Sequence, residues 1–216
     1  MLFIVKLSHS DDEYFPVIAE RVEAPRDLNW KTEIKFDDGV QGFATIDRRY
    51  INLQNGGSIE ESYKAVRGQK PTLAERINQP EINIYAYKQI ITGCSVGGKF
   101  EFVDIEDGKK KFFSTFWNVS LNLSSKEQLI KEIALTKSGK LTAEECNSVL
   151  RERGDLRGIL ENAIRDELKV VPFSEISSRY SMVAERVKKL FREGGGVESA
   201  GFDIAEFTVG NMRISN

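Results

Sequence analysis

The sequence predicts an α+β protein with a β-rich N-terminal region and a C-terminal region that combines a hairpin, helices and a closing strand. Three patterns in the 216 residues support this fold class. Strand-like alternation with turn signals dominates the first segment, and apolar residues at helical spacing dominate after residue 124. Between them lies a long run rich in Phe, Trp and Val, which is typical of a strand. We therefore expect a β-rich region at 1–90 and an α+β region at 91–216.

The N-terminal region is expected to contain several strands and one or two short helices. Residues 32–36 alternate polar and apolar side chains, Asp38-Gly39 supplies a turn signal, and 40–46 returns as a second strand. This pattern predicts a β-hairpin. Two capping boxes, each a hydroxyl residue followed three positions later by Glu, predict helix starts at Ser58 and Thr72.

The C-terminal region begins with the clearest hairpin signal in the chain. Asp107-Gly108 is a turn signal between a strand pattern at 99–105 and the aromatic run at 112–123. The small residues at 93–98, which include Cys94, are expected to form a loop.

Helices are expected throughout the stretch after the hairpin. Ser124, Thr142 and Asp155 are candidate N-caps, and Pro172 lies near the first turn of the longest predicted helix. That helix carries six apolar residues at alternating steps of three and four, which form a heptad-like seam: Phe173, Ile176, Tyr180, Val183, Val187 and Leu190. The seam has two interpretations, a face that packs on the chain's own sheet or a candidate interface with another subunit.

Three consecutive glycines, 194–196, follow the longest predicted helix and precede a strand at 201–209. A phosphate-binding loop has the opposite order, because N–H groups at a helix N-terminus attract anions whereas a C-terminus presents carbonyls. The glycines are therefore interpreted as a helix stop, with left-handed backbone and a reversal into the strand. The apolar pattern of that strand predicts either two buried faces or a bulge near Ala205.

The composition is that of an ordinary globular protein, with 40% hydrophobic and 30% charged residues and a formal net charge of −2. This balance gives no strong nucleic-acid signal, because the chain has no global basic field. No apolar run approaches the roughly 20 residues that a transmembrane helix needs. Only Cys94 and Cys146 are present, far apart in the sequence. We therefore expect a cytoplasmic protein, without a cofactor, in a reducing compartment.

Few residues offer catalytic or metal-binding chemistry. His9 is the single histidine, and a surface position is its simpler interpretation. Cys94 has only His9 as an imidazole partner, so an inert thiol is favoured over a nucleophile. Two acidic clusters, 11–13 and Asp104-Glu106-Asp107, can bind a hard cation, although neither has the spacing of a calcium loop.

The tip of the predicted hairpin is basic, with Lys109, Lys110 and Lys111 in a row. Four aromatic residues follow it: Phe112, Phe113, Phe116 and Trp117. Such a tip can contact nucleic acid or anionic lipid. The favoured interpretation is a solubilising tip with the aromatic side chains in the core, because the three acids at 104–107 nearly cancel the lysines.

The order of patterns in the second half is informative as a whole. The strand "FFSTFWNVSLNL" runs into "SSKEQLIKEI", followed by "LRGILENAIRDEL", "PFSEISSRYSMVAERVKKLF", a glycine break and "GFDIAEFTV". This order, over roughly 99–210, resembles the SPFH superfamily of stomatin, prohibitin and flotillin relatives, especially its soluble virion-core-like branch. Gly201, Phe202, Ile204 and Phe207 carry the best match. The N-terminal membrane anchor and long coiled-coil tail of many members are not expected here, and the first 90 residues lie outside the resemblance.

Three functions are predicted. The resemblance implies a non-enzymatic scaffold that self-associates side by side as a homo-oligomer. The first alternative is a metal-dependent enzyme that acts on a phosphate- or nucleotide-containing substrate through Asp and Glu carboxylates. The second alternative is an adaptor that binds a partner, such as another protein, through the aromatic and basic hairpin 99–123.

Overall fold

The computed structural model describes residues 1–8, 16–78 and 80–215, with side chains described up to residue 213. Helices and strands are both abundant, which confirms the predicted α+β class. The first half contains β1 (Leu2–Val5), β2 (Val17–Val22), β3 (Glu33–Phe36), β4 (Val40–Ile46), β5 (Arg49–Asn52), β6 (Gly57–Ser58), α1 (Ile59–Arg67), α2 (Leu73–Ile77) and β7 (Ile82–Lys88). The second half contains β8 (Ile91–Val103), β9 (Lys110–Leu123), α3 (Lys126–Leu135), β10 (Lys140–Thr142), α4 (Ala143–Glu152), α5 (Leu156–Glu167), a 3₁₀ helix (Phe173–Arg179), α6 (Tyr180–Glu193), α7 (Gly196–Ala200) and β11 (Phe202–Ser215).

These elements group into two compact units. Unit 1 comprises Met1–Gln89 and Ile130–Thr142, and unit 2 comprises Ile90–Leu129 and Ala143–Asn216. The division expected from the sequence, at residue 90, assigns 130–142 to the second region. In the structure this segment belongs with unit 1, because its strand β10 pairs antiparallel with β2.

Unit 1 contains two sheets around an apolar core. One sheet has the strand order β1-β3-β6 and the other the order β10-β2-β7-β4-β5. Side chains from both sheets and from α1, among them Ile34, Ala44 and Tyr63, pack in a single cluster. The hairpin predicted for 32–46 is wrong, because β3 pairs with β1 and β6 whereas β4 pairs with β5 and β7. The Asp38-Gly39 turn therefore leads the chain from one sheet to the other.

The predicted helix starts of unit 1 are confirmed. The Ser58 hydroxyl accepts the backbone N–H of Glu61, whose carboxylate accepts the N–H of Ser58 in return. Thr72 and Glu75 exchange the same pair of bonds at the start of α2. Each box satisfies two N–H groups that lack partners within the helix.

Unit 2 contains a three-stranded antiparallel sheet in the order β11-β9-β8, with helices packed on one face. The predicted hairpin at Asp107-Gly108 is confirmed, since β8 and β9 pair on either side of it. The loop predicted at 93–98 is wrong, because these small residues pair with β9 within β8. α4 and α5 pack against β8, and α6 packs against α5 and β11.

The starts of α3 and α5 have side-chain caps. Asp155 caps α5 as predicted, by accepting the N–H of Gly158. The cap at the start of α3 comes from Ser125 rather than Ser124, since its hydroxyl accepts the N–H of Gln128.

The longest predicted helix is divided in the structure. Its first seven residues, Phe173–Arg179, form a 3₁₀ helix, and α6 begins at Tyr180. The tighter winding starts with the N–H of Glu175, which donates to the Pro172 carbonyl three residues earlier. The predicted continuous helix over the whole seam is therefore wrong, although all six seam residues lie within these two elements.

The glycines at 194–196 form the predicted helix stop. Gly195 has a left-handed φ of +76°, and the N–H groups of Gly194 and Gly195 donate to carbonyls of α6. The chain does not reverse directly into the strand, because the short α7 intervenes and a second left-handed glycine, Gly201, precedes β11. The bulge predicted near Ala205 is confirmed, and a second bulge lies at Gly210.

Candidate binding surface on the unit 2 sheet

The pleat of β9 divides its aromatic side chains between the two faces of the unit 2 sheet. Phe113 and Trp117 lie on the helix-covered inner face and are each 1% exposed. Phe112 and Phe116 precede them by one residue and therefore lie on the opposite, outer face, where Phe116 is 46% exposed. The interpretation of the aromatics as core residues is thus correct for Phe113 and Trp117 only.

On the inner face the aromatic rings hold the unit together. Trp117 stacks on Phe207 with ring centroids 5.0 Å apart and meets the edge of Tyr180 at 5.9 Å. Phe113 packs at right angles to Phe173, which also contacts Phe102. Because these side chains are occupied within the core, they are unavailable to a partner.

The seam residues are placed mainly in this same core. Phe173, Ile176, Val183 and Val187 are at most 4% exposed, whereas Tyr180 and Leu190 are half-buried. An interface between copies through the four buried side chains would require this packing to open. These four side chains therefore pack within their own chain, as the first of the two interpretations of the seam proposed.

The three tip lysines lie in different surroundings. Lys110 lies on the outer face and forms an ion pair with Glu101 at 2.6 Å, while Lys109 is exposed in the turn. Lys111 lies on the inner side, where it donates to the buried carboxylate of Asp104 and lies 3.4 Å from that of Asp107. The bond from Lys111 holds the pKa of Asp104 below its usual value, and the same bond raises the pKa of Lys111.

The predicted acidic cluster at the tip is therefore used for structure. Asp104 also accepts the backbone N–H groups of Glu106 and Phe173, so it ties the tip to the 3₁₀ helix. Among the described residues, no group of three or more His, Cys, Asp or Glu side chains is placed to hold a metal ion. The second acidic cluster, 11–13, and His9 lie outside the described residues.

Cys94 does not lie in a loop, as the sequence suggested, but on strand β8. It is 2% exposed, and its sulfur lies 3.9 Å from the carbonyl oxygen of Ala143. Cys146 is fully buried as well. Both positions are those of packed apolar side chains rather than of reactive thiols.

The outer face is defined here by six residues from all three strands: Lys99, Phe112, Ser114, Phe116, Asn118 and Arg213. The ammonium group of Lys99 lies 4.3 Å from the centroid of the Phe112 ring. Lys99 and Arg213 are exposed on the two strands that flank β9, opposite Ser114. In the sequence, every second residue of the strand 112–118 gives the mixed aromatic and polar series of this face.

Both flanking strands are sheet edges. β8 and β11 have β9 as their only strand neighbour within the part of the chain that the structure describes. The N–H of Ser95 donates to the side chain of Asn147, 2.8 Å away, rather than to β9. By the alternation of an antiparallel ladder, the N–H groups of Gly97, Lys99 and Glu101 also point away from β9.

Neither the family models nor the curated proteins supply a relative of the chain. No protein-family model matches the chain, and no curated protein shows significant similarity to it. Within the described ranges, no helix combines the length and apolar character that crossing a membrane requires. The resemblance to the SPFH superfamily stays a prediction based on the order of the sequence patterns.

Proposed function

We propose that the chain is a non-enzymatic scaffold that self-associates through the edges of the unit 2 sheet. The observation that carries this proposal is the presence of two long edge strands, β8 and β11, on a sheet whose helices are confined to one face. Unpaired N–H and C=O groups along an edge are a template for pairing with another chain. The expected side-by-side assembly of SPFH relatives agrees with such a contact.

The directions of the strands suit a head-to-tail contact. β8 and β11 are both antiparallel to β9 and therefore run in the same direction. When copies lie side by side with their sheets continuous, β8 of one copy meets β11 of the next as a parallel pair. Such a heterologous interface produces a closed ring or an open filament.

Only some segments of β8 and β11 remain available to pair with another copy. On β8 the Asn147 side chain takes the N–H of Ser95, which leaves 97–103 for a partner. On β11 the bulges at Ala205 and Gly210 interrupt regular pairing, which leaves 206–209 and 211–215. The proposed interface is distinct from the buried seam of 173–190.

The proposal is tested by the change Glu101→Pro. Proline at this position removes an outward N–H and leaves the bonds between β8 and β9 in place. We expect the wild type to form a discrete multimer in light scattering after size exclusion, and the variant to shift towards the monomer. Glu101→Ala, which removes the same ion pair with Lys110 but keeps the N–H, should retain the multimer.

Two results would contradict self-association through the edges. One is a wild-type protein that stays monomeric across a wide concentration series. The other is a Glu101→Pro variant that keeps the wild-type mass and the wild-type circular dichroism spectrum.

A second candidate function is partner binding through the outer face. The specific observation in its favour is the 46% exposure of Phe116 at the centre of a sheet face, beside the exposed cations Lys99 and Arg213. Aromatic residues and arginine are enriched at protein interfaces relative to the rest of the surface.

A further inference from the structure

We propose that the outer face of the unit 2 sheet binds single-stranded nucleic acid, with an unpaired base stacked on Phe116 and phosphates held by Lys99 and Arg213. This inference rests on the second candidate function, because it names the partner of the same surface. It is independent of self-association, which uses the strand edges.

The surroundings of Phe116 leave its ring accessible to a flat ligand. Its cross-strand neighbour on β8 is Gly97, which has no side chain. On β11 it lies beside Gly210, where an added Cβ would come within 3.0 Å of the ring. Neither glycine has a side chain that could cover the ring, and every nucleobase has a π-face that can stack on an aromatic ring.

The charges beside the ring suit a phosphate backbone. Lys99 and Arg213 lie on opposite sides of β9, and Lys110 lies on the same face nearer to the tip. Two exposed acids lie on the same face: Glu101, which is paired with Lys110, and Glu206, which lies opposite Ser120 at the end of the sheet away from the tip. The chain's net charge of −2 gives no long-range attraction, so we expect affinity to depend on these local contacts.

The polar side chains around Phe116 favour nucleic acid over a membrane or an apolar protein surface. Asn118 and Asn211 are exposed, and Ser114 is half-buried. Amides and hydroxyls at these positions can form hydrogen bonds with the edges of an unstacked base. A duplex keeps its bases stacked on one another, so an open aromatic platform favours a single strand.

The Phe112 ring has a different role from that of Phe116. The ammonium group of Lys99 covers it at 4.3 Å, so at this position a ligand meets the cation first. We expect a phosphate at Lys99 and a base at Phe116, on adjacent parts of one strand.

The test is fluorescence anisotropy of the full chain with labelled single-stranded DNA and RNA of about 15 nucleotides, a length within the range bound by single-strand binding folds. The wild type should bind at about 50 mM salt and weaken steeply towards 200 mM. Phe116→Ala should weaken binding by about tenfold, as expected for the loss of one stacked base. Phe116→Trp should retain binding, because indole also stacks.

The cations are tested by the salt dependence. Lys99→Ala and Arg213→Ala should each lower the slope of log affinity against log salt by about 0.7, the value for one phosphate contact on a single strand. Leu73→Ala and Lys31→Ala serve as controls, because they remove an exposed apolar side chain and an exposed cation from unit 1. Neither control should change the affinity or the slope.

Three outcomes would overturn the proposal. The first is that the wild type binds neither oligonucleotide. The second is that Phe116→Ala binds as tightly as the wild type and that inorganic polyphosphate displaces the oligonucleotide completely. The third is that the protein binds vesicles containing phosphatidylserine and does not bind oligonucleotides. Light scattering on the same samples measures self-association separately. If the protein is a multimer that does not bind oligonucleotides, only the nucleic-acid proposal is refuted. If it is a monomer that binds them, only the scaffold proposal is refuted.

Discussion

On strand β9, Phe113 and Trp117 are each 1% exposed, whereas Phe116, the immediate neighbour of Trp117, is 46% exposed. The lysines at the start of the strand differ in the same way, since Lys111 bonds to a buried carboxylate and Lys110 to an exposed one. The inner face is closed by helices of its own chain, and the outer face presents aromatic, cationic and amide groups. The comparison shows that one residue of strand register decides whether a side chain stabilises the fold or is available to a partner.

The largest effect is expected for Val187→Asp, beneath the inner face. Val187 is fully buried in α6, so a carboxylate at this position would be charged without hydration. We expect a loss of about 4 kcal/mol or more in the free energy of unfolding, measured by urea denaturation. Met182→Asp is the matched control, because Met182 is 49% exposed on the same helix and should cost less than about 0.5 kcal/mol. A Val187→Asp variant that stays folded and only dissociates would restore the seam as an interface.

The next largest effect is a difference in the free energy of unfolding between variants of Trp117 and Phe116, which lie on opposite faces of the sheet. Trp117→Ala should lower the free energy of unfolding by about 3 to 5 kcal/mol, because it leaves a cavity between Phe207 and Tyr180. Phe116→Ala should cost about 1 kcal/mol, because nearly half of its side chain is already in solvent. Urea denaturation of both variants makes the comparison. Equal losses would mean that the outer face is part of a core.

The smallest effect is expected from the Asp104–Lys111 bond, and it depends on pH. The bond from Lys111 lowers the pKa of Asp104 in the folded state, so its contribution is present above the unfolded pKa of about 3.9 and is lost as pH falls through the folded pKa. Asp104→Asn should therefore reduce the acid-induced fall of the melting temperature. Lys111 retains Asp107, which limits the change at neutral pH.

The matched control for this pH dependence is Glu101→Gln, which alters the exposed pair with Lys110. Surface ion pairs contribute little, so its melting temperature should follow the wild-type curve from neutral to acid pH. An Asp104→Asn variant with an unchanged acid slope would contradict the assignment of this bond to the core.

The features that the sequence predicted correctly depend on residues close together in the chain. The capping boxes at Ser58 and Thr72, the Asp155 cap and the stop at Gly195 each involve contacts within a few positions. The tight turn at Asp107-Gly108 is local in the same way. Such features follow from turn chemistry and from unsatisfied N–H groups at helix starts.

The incorrect predictions concern strand pairing, which is decided by residues far apart in sequence. β3 and β4 adjoin a good turn signal yet belong to different sheets. The small residues at 93–98 pair with β9 and form part of a strand rather than a loop. Alternation separated Phe112 from Phe113, but only the packing of helices from residues 143–193 determined which of the two faces inward.

The return of 130–142 to unit 1 has a consequence for synthesis of the chain. Strand β10 completes the five-stranded sheet, so unit 1 lacks one edge until residue 142 has left the ribosome. By then β8 and β9 have been made, while α4, α5 and α6, which cover Phe113 and Trp117, have not. At about 5 to 20 residues per second, the nascent chain carries an uncovered aromatic sheet for several seconds. During this interval the side chains that later form the core of unit 2 are open to aggregation.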